Sequence, residues 1–152
     1  MNKNHLRLID ANLNRLREGI RVVEDIFRYI YNNKEISTKL KSLRHIARTK
    51  NYYELLETRD VENDVLRESI KSEQNREDLN SILIANFKRA QESSRVLEEV
   101  TKLSSIEDSE NFKYIRYELY NLEIVLNLIY LKFSLSSIDD SFVSSSKTRE
   151  LS

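Results

Sequence analysis

The chain has 152 residues, with 25 basic and 25 acidic side chains that cancel, and its length suits one domain with a single core. A nucleic-acid-binding protein usually carries a net basic face, so we expect no nucleic-acid partner for this neutral chain. One glycine and no proline exclude the many tight turns of an all-β or α/β fold, and the lack of cysteine excludes disulfides and thiolate sites.

The chain also lacks the signals of membrane insertion and secretion. No segment reaches the roughly 18 uninterrupted apolar residues of a membrane span, and the first residues contain no apolar signal core. We therefore expect no membrane association and a cytoplasmic protein.

Apolar spacing predicts helices along most of the chain. The first is expected over residues 6–32, where apolar side chains recur on one stripe. A second helix is expected over residues 37–48 with Ser37 as its N-cap, followed by a loop over residues 60–64. Three more helices are expected over residues 65–73, 76–103 and 109–133. The prediction is thus an all-α bundle of five to six helices.

The last long helix carries more apolar residues than one buried stripe requires. Its main seam has alternating spacings of three and four, like a coiled coil, and consists of Phe112, Ile115, Leu119, Leu122, Leu126, Ile129 and Phe133. We expect Leu122, Leu126 and Ile129 to be buried, and Ile124 and Leu131 to lie in a homodimer interface. The Ser-rich segment 134–152 is expected to be a mobile or loosely docked tail of a domain formed by residues 1–133.

An internal repeat is the most informative feature of the sequence. Residues 11–25 align with residues 85–99, and both follow the pattern A-N-x-x-R-x-x-E-x-x-R-V-x-E. A weaker match pairs Leu43-Arg44-His45 with Ile115-Arg116-Tyr117. Duplication of a helical hairpin explains both similarities, and the two halves are then expected to pack about a pseudo-twofold axis.

The repeat places polar side chains beside the apolar stripe in both halves, namely Asn12, Arg15 and Glu18, and then Asn86, Arg89 and Glu92. A buried Asn or Arg is costly unless its hydrogen-bonding groups are satisfied. One interpretation is structural, with ion pairs along each helix and Asn residues that set helix register. The other is that the two sets face each other across a polar cleft that binds an anion and its metal.

Other candidate residues carry weaker signals. His45 beside Arg44 is either a packed surface pair or part of a site. Arg59 and Asp60 either hold a phosphate and Mg²⁺ or simply form a helix-capping loop. The chain has no glycine-rich phosphate-binding motif, so any phosphate must be held by side chains and helix N-termini.

The motifs resemble those of a known family. I-D-A-N-L-N-R at residues 9–15 and R-E-G-I-R-V-V-E-D at residues 17–25 resemble the opening motif of the monofunctional, all-helical hydroxymethylpyrimidine phosphate kinases. The resemblance continues in order to about residue 130. That family is often fused ahead of thiamine phosphate synthase, a β/α barrel that this chain is too short to contain. One departure is Glu62, where the family has Gly in a D-V-G turn, and a positive φ there would be strained.

The resemblance implies transfer of the γ-phosphoryl group of ATP, with Mg²⁺, to a pyrimidine phosphate in thiamine biosynthesis. We expect catalysis from the charged residues that the repeat duplicates, Arg15, Glu18, Arg89 and Glu92. Substrate binding is expected from Asn12, Asn86, Arg44, His45, Arg59, Asp60 and Arg116. Glu18, Glu92 and Asp60 are the expected Mg²⁺ ligands.

Two alternatives from other classes remain. The chain is a non-catalytic helical module that binds thiamine phosphate synthase, or it is a structural helical dimer without a ligand. The repeated charged sets have no purpose in a purely structural dimer. Whether they converge on one concave site distinguishes the alternatives.

Overall fold

The computed structural model describes residues 1–69 and 71–149, with the side chains of all of these except residues 72, 73, 133 and 139–149. This part of the chain contains six helices and no strand: α1 (Lys3–Tyr29), α2 (Lys34–Ile46), α3 (Tyr52–Thr58), α4 (Lys71–Gln74), α5 (Leu79–Thr101) and α6 (Ile106–Arg149). The predicted all-α fold is therefore confirmed.

The boundary between the first two helices differs from the prediction because two adjacent asparagines form the turn. Helix α1 ends at Tyr29, and Asn32 has a positive φ of 50°, a conformation that Asn tolerates better than most residues. The Asn33 side chain then accepts a hydrogen bond from the Ile36 N–H at 3.0 Å and caps α2. The predicted N-cap, Ser37, instead lies inside the first turn of α2 and donates its hydroxyl to the Asn33 carbonyl.

Helix ends in the second half also follow capping chemistry. The helix expected over residues 65–73 is reduced to the single turn of α4. Helix α5 begins after Asp78, which forms a reciprocal capping box with Ser81.

Helix α6 continues through the Ser-rich segment to Arg149. Loose docking of that segment stays a prediction, and residues 150–152 lie outside the described part of the chain.

The chain divides into two compact units, Met1–Tyr120 and Asn121–Ser152. In the first unit, α1 packs against α2, α3 and α5. Its core contains large side chains that are almost completely buried, among them Leu16, Phe27, Leu40, Leu55, Leu97 and Phe112.

Helices α1 and α5 approach closely at Gly19, the one glycine of the chain. A Cβ atom at this position would lie 3.0 Å from the Asn86 backbone oxygen and 3.4 Å from the Ala90 Cβ. Glycine is therefore required for close approach of the two helix backbones rather than for an unusual backbone angle.

The internal repeat reappears as duplicated interactions. Arg44 Nε donates to Glu24 at 2.7 Å in the first half, and Arg116 Nε donates to Glu98 at 2.9 Å in the second. Each carboxylate is also paired with the arginine three residues before it, Arg21 or Arg95. Both glutamates are buried, so their hydrogen bonds to arginine compensate for the loss of water.

The two repeated asparagines are duplicated as well. Asn12 Nδ2 donates to the Leu8 carbonyl at 3.0 Å, and Asn86 Nδ2 donates to the Ile82 carbonyl at 2.9 Å. These bonds satisfy one amide hydrogen of each Asn within its own helix. Sequence duplication thus reflects a duplicated set of side-chain contacts.

The second unit shows where the surplus apolar residues of α6 lie. Leu122 and Leu126 are buried as predicted, whereas Ile129 is partly exposed. Ile124 and Leu131, the residues predicted for a subunit interface, are both exposed. Among the described residues, none of the helices is apolar for long enough to span a membrane.

Candidate functional site

The main candidate site is a cleft of about 670 Å³ between the N-terminal half of α1 and the loop that follows α3. Four arginines, four carboxylates and three asparagines contribute to its walls. They are Arg7, Arg15, Arg59 and Arg67, then Asp10, Glu18, Asp60 and Asp64, then Asn4, Asn12 and Asn14. The spacing of Arg7, Asp10, Asn14 and Glu18 at three and four residues places them along one face of α1.

One ion pair attaches the loop to the helix. Arg59 donates from Nε and NH2 to the two oxygens of Asp10, at 2.8 and 2.7 Å. The Asp10 side chain is only 8% exposed, while that of Arg59 is 40% exposed. The pKa of Arg59 is raised above its ordinary value, mainly because its guanidinium is hydrogen-bonded to Asp10. This two-bond geometry fixes the wall of the cleft relative to α1.

We expect Arg59→Ala to lower the free energy of unfolding by about 1–3 kcal/mol, because it leaves the buried Asp10 carboxylate without its partner. The expected loss is smaller than for a fully buried pair because solvent reaches Arg59. Urea denaturation followed by circular dichroism measures the change.

Arg67→Ala is the matched control, since the Arg67 side chain lines the same cleft and makes no hydrogen bond or ion pair in the described part of the chain. It is expected to leave stability unchanged. Equal stability of the two variants would contradict a structural role for the Asp10–Arg59 pair.

The loop itself is organised by Asp60. Its carboxylate accepts hydrogen bonds from the Glu62 and Asn63 backbone N–H groups and from Asn63 Nδ2, at 3.2, 3.1 and 2.8 Å. The pKa of Asp60 is lowered below its usual value, mainly because its carboxylate accepts the hydrogen bonds from Asn63. Arg7 NH2 completes the loop by donating to the Asp60 and Asn63 carbonyls.

These contacts bear on two expectations for the loop. Among the described residues, Asn32 is the non-glycine residue with positive φ, so Glu62 does not have the strained conformation considered above. Asp60 was expected to bind Mg²⁺, yet both its oxygens accept bonds from its own loop. No cluster of three or more His, Asp or Glu side chains suited to a metal occurs in the described residues. The Mg²⁺ roles of Asp60, Glu18 and Glu92 stay predictions.

Two cations of the cleft, Arg15 and Arg67, are available to a ligand. Arg59 is bound to Asp10 and Arg7 to the loop, whereas the exposed Arg15 guanidinium forms no hydrogen bond or ion pair within the described part of the chain. Asn12 is buried nearby on the same helix, and its amide oxygen accepts no hydrogen bond there. Glu18 also lines another cleft, of about 480 Å³, with Arg17, Arg21 and Arg44.

The structure therefore brings together part of the predicted site. Asn12, Arg15, Glu18, Arg59 and Asp60 all line the cleft. The other predicted residues lie outside its lining: Asn86, Arg89, Glu92, Arg44, His45 and Arg116.

These other residues have different surroundings. Arg89 and Glu92 are exposed on α5, and His45 is exposed at the end of α2. Arg44 and Arg116 are each bound to a buried glutamate. A hydrogen bond with Tyr120, followed by the one with Glu98, raises the pKa of Arg116. A ligand-binding role for these residues, and a cleft shared between the halves, stay predictions.

Comparison of the sequence with known protein families identifies the family of this chain. Residues 7–125 match the ThiD2 family, which is more than half of the chain and includes all cleft residues except Asn4. The chain belongs to the ThiD2 family. Its helical fold agrees with the all-helical family that the sequence resembles, whereas the kinase assignment of that resemblance is not supported. No solved structure matches the chain.

Curated relatives of this ThiD2 chain are named thiamine-phosphate synthase. The protein of Thermosynechococcus vestitus is 39% identical over 87% of this chain and 38% of its own length. The protein of Nostoc punctiforme is 38% identical over 77% of this chain and 34% of its own length, and that of Rhodopirellula baltica is 38% identical over 76% and 32%. The chain thus spans about a third of the relatives it matches. The expected link to thiamine biosynthesis is supported.

The expected phosphotransferase activity is not supported and is corrected. The relatives of this ThiD2 chain carry the name of a synthase of thiamine phosphate, a transferase that is not a kinase. An arginine-lined cleft binds a phosphate group whether or not it transfers one. The residues therefore did not justify a kinase assignment.

The cleft residues that were missed in the sequence include Arg7, Asp10 and Arg67. The repeat concealed Arg7 and Asp10, because it begins at Ala11 and the corresponding positions in the second half are Ser81 and Ile84. The available signal was Asp10, a carboxylate next to Ile9 in an apolar stripe, which needs a cationic partner when it is buried.

Proposed function

We propose that this chain is a non-catalytic helical module that acts with a thiamine-phosphate synthase and binds a phosphate-bearing compound in the α1 cleft. The observation that carries the proposal is Arg15, whose guanidinium makes no hydrogen bond or ion pair with the residues that the structure describes, in a cleft lined by four arginines. The partnership is supported by relatives that contain a matching segment within a longer chain named thiamine-phosphate synthase.

The four arginines of the cleft are balanced by four carboxylates, and its hydrogen bonds leave the Arg15 donors available to an anion. Asp10 is neutralised by Arg59, and Asp60 and Asp64 accept bonds from backbone N–H groups of their own loop. Glu18 is the remaining carboxylate, and it lies three residues from Arg15 on α1. A phosphate group that accepts hydrogen bonds from the Arg15 guanidinium forms charge-assisted bonds that no group in the described part of the chain forms with this side chain.

The compound that fits best is a phosphorylated pyrimidine. The Asn12 amide oxygen is an acceptor for an exocyclic amine, since its companion nitrogen is already bonded to Leu8. A volume of about 670 Å³ is within the usual range for small-molecule sites. ATP and Mg²⁺ remain predicted ligands of the protein.

Calorimetric titration with hydroxymethylpyrimidine phosphate, and separately with inorganic phosphate, tests this proposal. Arg15→Ala is expected to weaken binding by roughly 10- to 100-fold, the value of one or two hydrogen bonds to a charged group. Arg89→Ala is the matched control, because Arg89 occupies the repeat position equivalent to Arg15 and lies outside the cleft lining. It is expected to retain wild-type affinity.

The other outcomes are distinct. Unchanged binding by Arg15→Ala would exclude this cleft as the site. Equal losses in both variants would support a site shared between the two halves instead. Formation of a diphosphate when ATP and Mg²⁺ are added to the bound compound would contradict a non-catalytic module.

A further inference from the structure

Helix α6 carries a second apolar stripe that the protein leaves uncovered. It consists of Ile124, Leu128, Leu131, Leu135 and Ile138, which are between 49% and 63% exposed. Their spacings are four, three, four and three, the repeat of a coiled-coil seam. At 100° per residue the stripe lies on the side of α6 opposite Leu122 and Leu126, which are buried.

We infer that this stripe, the α6 seam, pairs with the same stripe of a second copy of the chain. The 3.5-residue period matches another helix of the same period, whose side chains interdigitate as knobs into holes. A second copy presents an identical stripe, so a twofold pair uses one surface on both partners.

The size and charge of the seam are consistent with self-association. Each of the five residues exposes roughly 100 Å², so two seams bring about 1,000 Å² of largely apolar surface together, the size at which specific interfaces begin. The flanking positions Val125, Asn127 and Ser134 are uncharged, and Lys132 is the charged flanking residue within the described side chains. A chain of zero formal net charge adds no general repulsion between copies.

The absence of cysteine allows a direct test in the full-length protein. Leu131 is the central residue of the seam, so Leu131→Cys is expected to form disulfide-linked dimers on mild oxidation whether the helices pair parallel or antiparallel. Tyr130→Cys is the matched control, because this exposed neighbour lies about 100° round the helix and outside the seam. It is expected to remain largely monomeric on a denaturing gel.

Sedimentation equilibrium supplies the second measurement. Wild-type protein is expected to be a dimer with a micromolar dissociation constant, and Leu131→Glu to be a monomer with the same helical content, since Leu131 is half-exposed within one chain. A wild-type monomer at about 100 μM would overturn the inference, as would a dimer that Leu131→Glu leaves intact. Equal cross-linking of the two cysteine variants would also overturn it.

Discussion

Arg44→Ala is expected to lower the free energy of unfolding by about 3–5 kcal/mol, and Arg116→Ala by a similar amount. Arg44 binds Glu24 at 2.7 Å, and the Glu24 side chain is 2% exposed. Arg116 binds Glu98 at 2.8 Å, where the two side chains are 13% and 6% exposed. Removing either arginine leaves a carboxylate that has lost its water and its main cation. Chemical denaturation of both variants measures the losses.

Each half of the protein supplies its own control. Arg21 and Arg95 contact the same two glutamates from the exposed side of the helix, with side chains about half exposed. Their replacement by alanine is expected to cost no more than about 1 kcal/mol, because solvent screens surface ion pairs. If Arg21→Ala and Arg44→Ala had equal effects, burial would not determine the strength of these pairs.

Phe112→Ala is expected to destabilise the protein by about 3–5 kcal/mol, because it removes a ring from a site that is 0% exposed and leaves a cavity. Thermal and urea unfolding followed by circular dichroism measure the effect. A ring of this size makes many close contacts in the core, and its surroundings cannot fully collapse into the space it leaves.

Tyr114→Ala is the control for this substitution. Tyr114 lies two residues away on the same helix and is 55% exposed, so its replacement is expected to change stability by about 0.5 kcal/mol or less. A loss for Phe112→Ala as small as this would show that residue 112 is not part of a well-packed core.

The internal repeat was the most reliable guide from sequence to structure. It predicted two equivalent halves, and the structure shows the equivalence in pairs of contacts, such as Arg44 with Glu24 and Arg116 with Glu98. The repeat does not include Asp10, which lies one residue before it and accepts a hydrogen bond from Arg59 in the cleft. A repeat identifies what the halves share, whereas a site formed by one half depends on residues that they do not share.

Helix boundaries were less predictable for a local reason. Ser37 and Asn33 are both good N-cap residues, and the sequence alone favoured Ser37. In the structure Asn33 caps α2, because the positive φ of Asn32 ends the preceding turn and brings the Asn33 side chain to the Ile36 N–H. The choice between two adequate caps depends on where the previous helix ends.

The sequence by itself determined the helical fold, because apolar side chains recur with the helical period and one glycine and no proline leave few turns. It also determined the burial of Leu122 and Leu126 through their spacing on α6. Only the tertiary structure decided which charges meet. Asp10 and Arg59 are 49 residues apart, and their pairing depends on how the loop after α3 folds back on α1. Arg15 makes no hydrogen bond or ion pair within the described part of the chain, whereas Arg59 binds Asp10 and Arg7 binds the loop. Helical periodicity is a local property, whereas the partner of a charged group depends on contacts between distant segments.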